Sequence, residues 1–206
     1  MNNSHKQRSN HRKAQTQLKA KVKKSTSSIR IIGGKHRGRK LPVLDAEGLR
    51  PTTDRVKETV FNWLMPYISE SHCLDCFAGA GSLGFEALSR GASTVIMIEL
   101  DKATANQLQQ NKAILNADNV EVIHGNALTV TRQQSQKFNI VFIDPPFRQG
   151  LAAQIIELLD SSRLSQDALI YLEVESDNSH INVPNNWRLL KEKTAGQVSY
   201  RLFQCD

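Results

Sequence analysis

The stretch that most constrains the fold is residues 74–84, where an apolar run carrying one acid ends at closely spaced glycines and a helical pattern follows. This order predicts a strand, a tight turn and a helix, with Asp75 at the carboxyl end of the strand. Gly79 and Gly81 would let the backbone adopt positive φ and approach a ligand, and Gly84 would let the helix pack closely on its strand. Open α/β sheets bind ligands at this edge.

The spacing of these glycines, G-x-G-x-x-G, leaves the ligand open. A dinucleotide and S-adenosylmethionine both fit such a turn, and a plain glycine turn without a ligand also satisfies it. The turn alone therefore predicts a nucleotide-type site without choosing its occupant.

From residue 72 onward, strand patterns alternate with helix patterns, which predicts an α/β fold with a mostly parallel, doubly wound sheet. Seven strands are expected near 72–77, 94–99, 120–124, 138–144, 168–174, 187–191 and 198–204. Helices are expected near 82–90, 102–116, 127–135 and 150–161. Because no clear helix separates the last two strands, we expect the sheet to end on a hairpin with one antiparallel strand.

Charge is distributed very unevenly along the chain. Residues 1–40 hold 13 of the 27 Lys and Arg and none of the 20 acids. Residues 1–27 are also poor in apolar residues, which predicts a disordered basic arm. A solvated tail, a nucleic-acid-contacting arm and an organelle transit peptide all remain open for it. No apolar stretch is long enough to span a membrane, so we expect an intracellular, soluble protein.

The three cysteines do not indicate a disulfide framework or a metal site. Cys73 and Cys76 have C-x-x-C spacing, but residues three apart on a strand point to opposite faces. We therefore expect buried structural thiols and no metal.

A small β-hairpin is predicted at residues 28–48, ahead of the main domain at 49–206. Two β-prone runs flank a glycine-rich connection with a cluster of basic side chains, which is plausible as a phosphate-contacting device. An ordinary solvated hairpin tip is the alternative. The candidate nucleic-acid-binding residues, hereafter the hairpin cations, are Arg30, Lys35, His36, Arg37, Arg39 and Lys40.

A helix is predicted to open after Leu49-Arg50-Pro51-Thr52-Thr53-Asp54, since Thr52, Thr53 and Asp54 can all cap it. The charged residues around this start exceed what capping needs. They either form salt-bridged helix flanks or fold over the cofactor, with Arg50 facing a carboxylate.

Two further residues at strand ends are candidates for nucleoside binding. Glu99 follows the second strand and could accept both hydroxyl hydrogens of a ribose. Asp101 is the alternative, or a cap for the next helix. Asn126 follows the third strand, where its amide could bind an adenine or cap the following helix.

The end of the fourth strand decides between the ligands. Asp144-Pro145-Pro146-Phe147 places a carboxylate, two residues without N–H donors and an aromatic ring at the ligand edge. A nicotinamide gains nothing from such acceptors. A planar base with an exocyclic amine gains two hydrogen-bond acceptors and a stacking partner.

At this point the chain resembles the Rossmann-like class I methyltransferases that carry a (D/N)-P-P-(Y/F) motif and act on exocyclic base amines. More narrowly it resembles the RsmD family, which methylates N2 of a guanine in small-subunit (16S) ribosomal RNA. The segments that carry this resemblance are 29–39, 50–58, 75–84 and 144–147. Asn126 stands where relatives often have Asp.

The resemblance implies a cytoplasmic S-adenosylmethionine-dependent enzyme that acts on a partly assembled small ribosomal subunit; we expect a monomer. The implied catalytic residues are Asp144, Pro145, Pro146 and Phe147. The implied cofactor-binding residues are Arg50, Thr52, Asp75, Phe77, Gly79, Gly81, Glu99, Asn126 and Asp144. An adenine-N6 methyltransferase, a nicotinamide-dependent oxidoreductase and a non-catalytic RNA-binding protein remain as alternatives.

Overall fold

The computed structural model describes residues 27–44, 53–178 and 181–206. The predicted basic arm lies outside these residues except for Ser27, and so do Arg50 and Thr52. In chain order the strands are β1 Ser28–Arg30, β2 Lys40–Pro42, β3 His72–Asp75, β4 Thr94–Glu99, β5 Val120–His124, β6 Phe138–Ile143, β7 Leu164–Glu175, β8 Trp187–Ala195 and β9 Val198–Cys205. The helices are α1 Asp54–Leu64, α2 Ser82–Ser89, α3 Lys102–Leu115, α4 Ala127–Gln133 and α5 Leu151–Leu158, and a 3₁₀ turn spans Ser176–Asn178.

A seven-stranded sheet forms the centre of the fold, in the order β5-β4-β3-β6-β7-β9-β8. The first five of these strands are parallel, whereas β9 runs antiparallel to both β7 and β8. The chain moves outward from β3 to β5 and then returns to place β6 on the other side of β3. This reversal opens a crevice at the carboxyl ends of β3 and β6, where doubly wound sheets bind ligands.

Helices cover the sheet on both faces. One buried cluster joins the hairpin and helices α1, α2 and α3 to one face, through residues such as Ile31, Phe61 and Leu108. The other joins α4 and α5 to the opposite face, through residues such as Val130 and Ile155. Burial of both faces explains why the central strands are nearly continuous apolar runs.

The hairpin β1–β2 packs directly on the main sheet domain. Its apolar side chains Ile29 and Leu41 are buried, and three buried polar side chains bind its backbone. Lys57 donates to the carbonyl of Arg30, Glu86 accepts from the amide of Ile32, and Asn111 donates to the carbonyl of Pro42. A two-stranded ribbon is marginal alone, so these contacts fix its position.

The sheet and its helices follow the predicted order, with differences at the element ends. Strand β3 stops at Asp75 rather than 77; the Cys76 amide still bonds to Phe142 of β6, and the chain then enters the glycine turn. Strand β7 starts at Leu164, because a bulge lets its first residues pair with Phe138 before the regular register begins. None of the described helices combines the length and apolar character needed to cross a membrane.

Candidate active site

The glycine turn lies between β3 and α2, at the crevice. Gly79 and Gly81 adopt φ of 50° and 80°, and the Gly81 amide donates to the carbonyl of Ala78 at 2.7 Å. A Cβ on Gly81 would lie 2.6 Å from Phe85 and 2.7 Å from Leu108. Gly81 therefore meets two demands, a left-handed backbone and close packing of α2 and α3 behind it.

Asp75 lies beneath this turn and is 1% exposed. Its Oδ2 accepts the amide hydrogen of Gly84 at 3.1 Å, and its Oδ1 has no hydrogen-bond partner in the described part of the chain. Burial raises the pKa of Asp75 to about 7, against the opposing effects of the Gly84 and Phe77 amides. The residue is thus a buried acid whose Oδ1 lacks a well-formed hydrogen bond at the ligand edge.

Glu99 joins the turn to the end of β4. Its Oε2 accepts from the Gly79 amide at 2.8 Å and its Oε1 from the Asp101 amide at 2.7 Å. Each carboxylate oxygen retains a further lone pair for a ligand. The Asp101 carboxylate instead caps α3 by accepting from the amide and hydroxyl of Thr104, which favours the capping alternative for Asp101.

Asn126 is the N-cap of α4. Its Oδ1 accepts from the amides of Leu128 and Thr129 at 3.0 and 3.2 Å. The carbonyl oxygen of the Asn126 side chain is therefore used in capping the helix. The residue still lies beside Glu99, because the Gly125 amide donates to the Glu99 carbonyl.

The Asp144–Phe147 segment faces the glycine turn across the crevice. Strand β6 pairs with β3, and the Cys76 amide donates to the Phe142 carbonyl at 3.0 Å. Asp144 is half-buried and Pro145 is buried, whereas Pro146 is exposed and Phe147 is 44% exposed. An apolar ring this accessible beside a half-buried carboxyl is suited to stacking on a flat ligand.

Sequence reasoning missed Glu173, which lies next to Asp144 near the end of β7. It is 7% exposed, accepts a hydrogen bond from the Tyr171 hydroxyl and hydrogen-bonds with Asp144. Burial raises its pKa. The sequence signal was a charged residue inside an otherwise apolar strand, Ile170-Tyr171-Leu172-Glu173-Val174.

A cleft of about 200 Å³ adjoins the glycine turn between the hairpin, the start of α1 and the start of α2. The residues that line it are Ser28, Ile29, Arg30, Thr53, Asp54, Lys57 and Ser82. Thr53 caps α1 by accepting from the Val56 amide, one of the three predicted caps. The hydroxyl of Ser82 is buried without a partner in the described part of the chain, so the cleft wall has unsatisfied hydrogen-bonding capacity.

The burial of Lys57 was not predicted from the sequence. It is 1% exposed, lies 3.4 Å from Asp54 and donates to the Arg30 carbonyl at 2.5 Å. Its charge therefore stays beside the cleft while its hydrogen bond attaches the hairpin to α1.

The hairpin cations divide between two places. Arg30 lines the cleft, and Lys40 pairs with it across the ribbon. The turn lies at the opposite end of α2, where the amides of Lys35 and His36 donate to Ser89. Burial, followed by the charges of Lys35 and Arg39, lowers the pKa of His36.

The cysteines match the structural prediction. Cys73 and Cys76 are buried in the clusters on opposite faces of the sheet, and burial raises the pKa of both thiols. Within the described residues, no group of His, Cys, Asp and Glu is arranged to hold a metal ion.

Comparison with known proteins identifies the family. A family model described as Conserved hypothetical protein 95 matches residues 29–204. Ribosomal RNA small subunit methyltransferase D of Escherichia coli (strain K12) is 56% identical over 180 residues, covering 87% of this chain and 91% of the relative. The protein of that name from Haemophilus influenzae is 55% identical over 191 residues, covering 90% and 98%.

A comparison with solved structures supports the same family. The Escherichia coli protein yhhF superposes with a TM-score of 0.82 at 52% identity, covering 87% of this chain and 99% of that one. The predicted α/β fold with its N-terminal hairpin is therefore confirmed, as is the predicted class of enzyme, a methyltransferase. The chain belongs to the family of ribosomal RNA small subunit methyltransferase D.

Proposed function

We propose that this protein transfers a methyl group from S-adenosylmethionine to the exocyclic N2 amine of a guanine in small-subunit ribosomal RNA. The observation that carries the proposal is the juxtaposition of two elements at one crevice. The glycine turn after β3 lies next to the Asp144–Phe147 segment after β6, joined through the hydrogen bond from Cys76 to Phe142. The relatives are named as small-subunit ribosomal RNA methyltransferases, which supports RNA as the substrate, and their family implies S-adenosylmethionine as the cofactor.

The residues at the crevice fit S-adenosylmethionine. The positive φ of Gly79 and Gly81 forms the tight turn whose backbone borders the proposed cofactor site. Ser82 Oγ and Asp75 Oδ1, both buried and unpartnered in the described residues, offer acceptors for an ammonium group. Glu99 has the lone pairs to bind ribose hydroxyls. Phe77 and Asn126 complete the proposed set within the described residues, and Arg50 and Thr52 complete it outside them.

When bound, S-adenosylmethionine supplies an electrophilic methyl group. A guanine N2 lone pair is delocalised into the ring and is a poor nucleophile. We assign to Asp144 and the Pro145 carbonyl the role of accepting the two N2 hydrogens, which directs the lone pair out of the ring plane. Phe147 stacks on the base, and Pro146 fixes the backbone between them.

Orientation supplies most of the catalysis in this scheme. Holding two reactants in line contributes up to roughly 7–11 kcal/mol. The scheme requires neither a metal ion nor a covalent enzyme intermediate, and Asp144 can take up the amine proton after transfer.

The hairpin cations are proposed to bind RNA phosphates. In this division of the chain, residues 28–48 form the RNA-contacting extension, 49–206 form the methyltransferase domain, and the arm at 1–27 adds diffuse attraction. The proposed substrate is a partly assembled small subunit, and the enzyme acts on it as a monomer.

The test uses Asp144→Ala and small ribosomal subunits from cells that lack the protein. Wild-type protein should place one methyl group on guanine N2, detected by mass spectrometry of digested RNA. The variant should retain less than about a tenth of the activity, since a hydrogen bond to a charged group contributes about 1.5–3 kcal/mol. Its affinity for S-adenosylmethionine should stay within a few fold, because Asp144 acts on the base.

A thermal melt of Asp144→Ala controls for loss of the fold. Methylation of adenine by the wild-type protein, or a variant that remains fully active, would contradict the proposal.

A further inference from the structure

A buried acidic pair lies behind the proposed catalytic segment. Strands β6 and β7 pair in parallel with Phe142 opposite Tyr171 and Ile143 opposite Leu172, so the next step of this register places Asp144 beside Glu173. The two carboxyl groups hydrogen-bond with each other, and the Tyr171 hydroxyl donates to Oε1 of Glu173. Glu173 thus has two hydrogen-bonding partners while being only 7% exposed.

A hydrogen bond between two carboxyl groups requires a proton between them. Two ionised carboxylates at contact distance in a poorly hydrated site repel strongly, so such pairs retain one proton and titrate as a unit. Glu173 is 7% exposed whereas Asp144 is half-buried, so the negative charge is better solvated on Asp144 and the shared proton lies on Glu173. The Tyr171 hydroxyl donates to Glu173.

We propose that Glu173 is a positioning residue for Asp144: it donates its carboxyl hydrogen to Asp144, and the second oxygen of Asp144 then faces the substrate as a fixed acceptor. The assignment of that oxygen to the base amine rests on the function proposed above. Glu173 itself does not touch the base in this arrangement.

Among the residues that the structure describes, few other groups near this pair could titrate in its place. On β7, Glu175 lies two residues further on and is paired with the exposed Arg148. On β9, Tyr200 lies opposite Glu173. Helix α1 covers this face with the aromatic rings of Phe61 and Trp63, which do not ionise.

The first experiment compares Glu173→Ala with Glu173→Gln in methylation of small ribosomal subunits. The alanine variant should lower kcat by about ten- to a hundredfold, the effect of losing one hydrogen bond to a charged group, with KM for S-adenosylmethionine within about twofold. The glutamine variant keeps a hydrogen-bonding partner for Asp144 and should recover most of kcat. An unchanged kcat in the alanine variant, or a loss confined to KM, would overturn the proposal.

The pH profile separates positioning from a merely structural role. In the wild type, kcat should fall on the alkaline side as the pair loses its shared proton and the two carboxylates repel. Glu173→Gln and Asp144→Asn each leave a single ionisable partner, so both should remove this component of the alkaline fall. Retention of the full wild-type fall in both variants would overturn the shared proton.

Infrared spectroscopy of the protein without substrates tests the shared proton directly. It does not depend on methylation activity, so it remains informative for a variant whose activity is too low to measure. The wild type should show a carbonyl stretch from a protonated acid that is lost or shifted in both Glu173→Gln and Asp144→Asn. The buried Asp75 also contributes such a band, so the signal is assigned by difference from each variant.

A band that neither variant changes would overturn the inference even if methylation proceeds as proposed. A band that both variants change would support the pair even if the methylated base proved to be another one. The inference and the proposed function can therefore fail separately.

Discussion

Asp75→Asn tests the buried acid beneath the glycine turn. The folded pKa of about 7, against 3.8 for an unburied carboxyl, means that the folded protein binds this proton more tightly than the unfolded chain. The contribution of Asp75 to the free energy of unfolding is therefore fully present below pH 4 and is lost as the pH rises through 7. At 1.36 kcal/mol per unit, the difference approaches about 4 kcal/mol as an upper bound.

Asparagine is neutral at every pH and can still accept from the Gly84 amide through Oδ1. We expect the variant to match the wild type only near pH 4, and its advantage to grow between pH 4 and 7 to about 1–4 kcal/mol near pH 8. Urea unfolding of both proteins at pH 5, 6, 7 and 8 measures this difference directly. A difference that stays constant across that range would refute the reasoning, because it would show that Asp75 does not change its protonation on folding.

Three further perturbations test the turn and the hairpin. Glu99→Ala should weaken S-adenosylmethionine binding by about 1.5–3 kcal/mol in titration calorimetry, and an unchanged dissociation constant would remove Glu99 from the site. Gly84→Ala should destabilise the fold by about 1–3 kcal/mol in urea unfolding, since its Cβ would lie 2.4 Å from the buried Met97 sulfur; a variant as stable as the wild type would contradict this. Neutralising Arg37, Arg39 and Lys40 should impair methylation more than deleting residues 1–27, which should mainly lower RNA affinity and its salt dependence; the reverse result would make the arm the recognition element.

The parts of the molecule that local patterns determine were predictable. Strand and helix order follow from apolar periodicity, and the turn at Gly79 and Gly81 follows from the glycines themselves. The position of Asp144 at the ligand edge follows from its place after an apolar strand. Each of these inferences needs only a short stretch of chain.

The parts that depend on distant pairing were not predictable. Lys57 is buried because its Nζ meets a carbonyl 27 positions earlier in the chain. Glu173 is significant only because β7 pairs with β6 in one particular register. Asn126 remained open between cap and ligand because both uses suit an amide at a strand end, and only the contacts to Leu128 and Thr129 show the cap.

The attachment of the hairpin along α2 sets a minimum size for a substrate. Eight helical residues span about 12 Å, so the turn bound at Ser89 lies roughly that far from the glycines at the crevice. Successive nucleotides of a stacked strand advance about 3.4 Å, so a stacked RNA that reaches both ends extends over about four of them. A lone nucleoside or dinucleotide would occupy the crevice without contacting the turn. Measuring affinity for RNA fragments that differ by one nucleotide would therefore show a rise once the RNA is long enough to span α2.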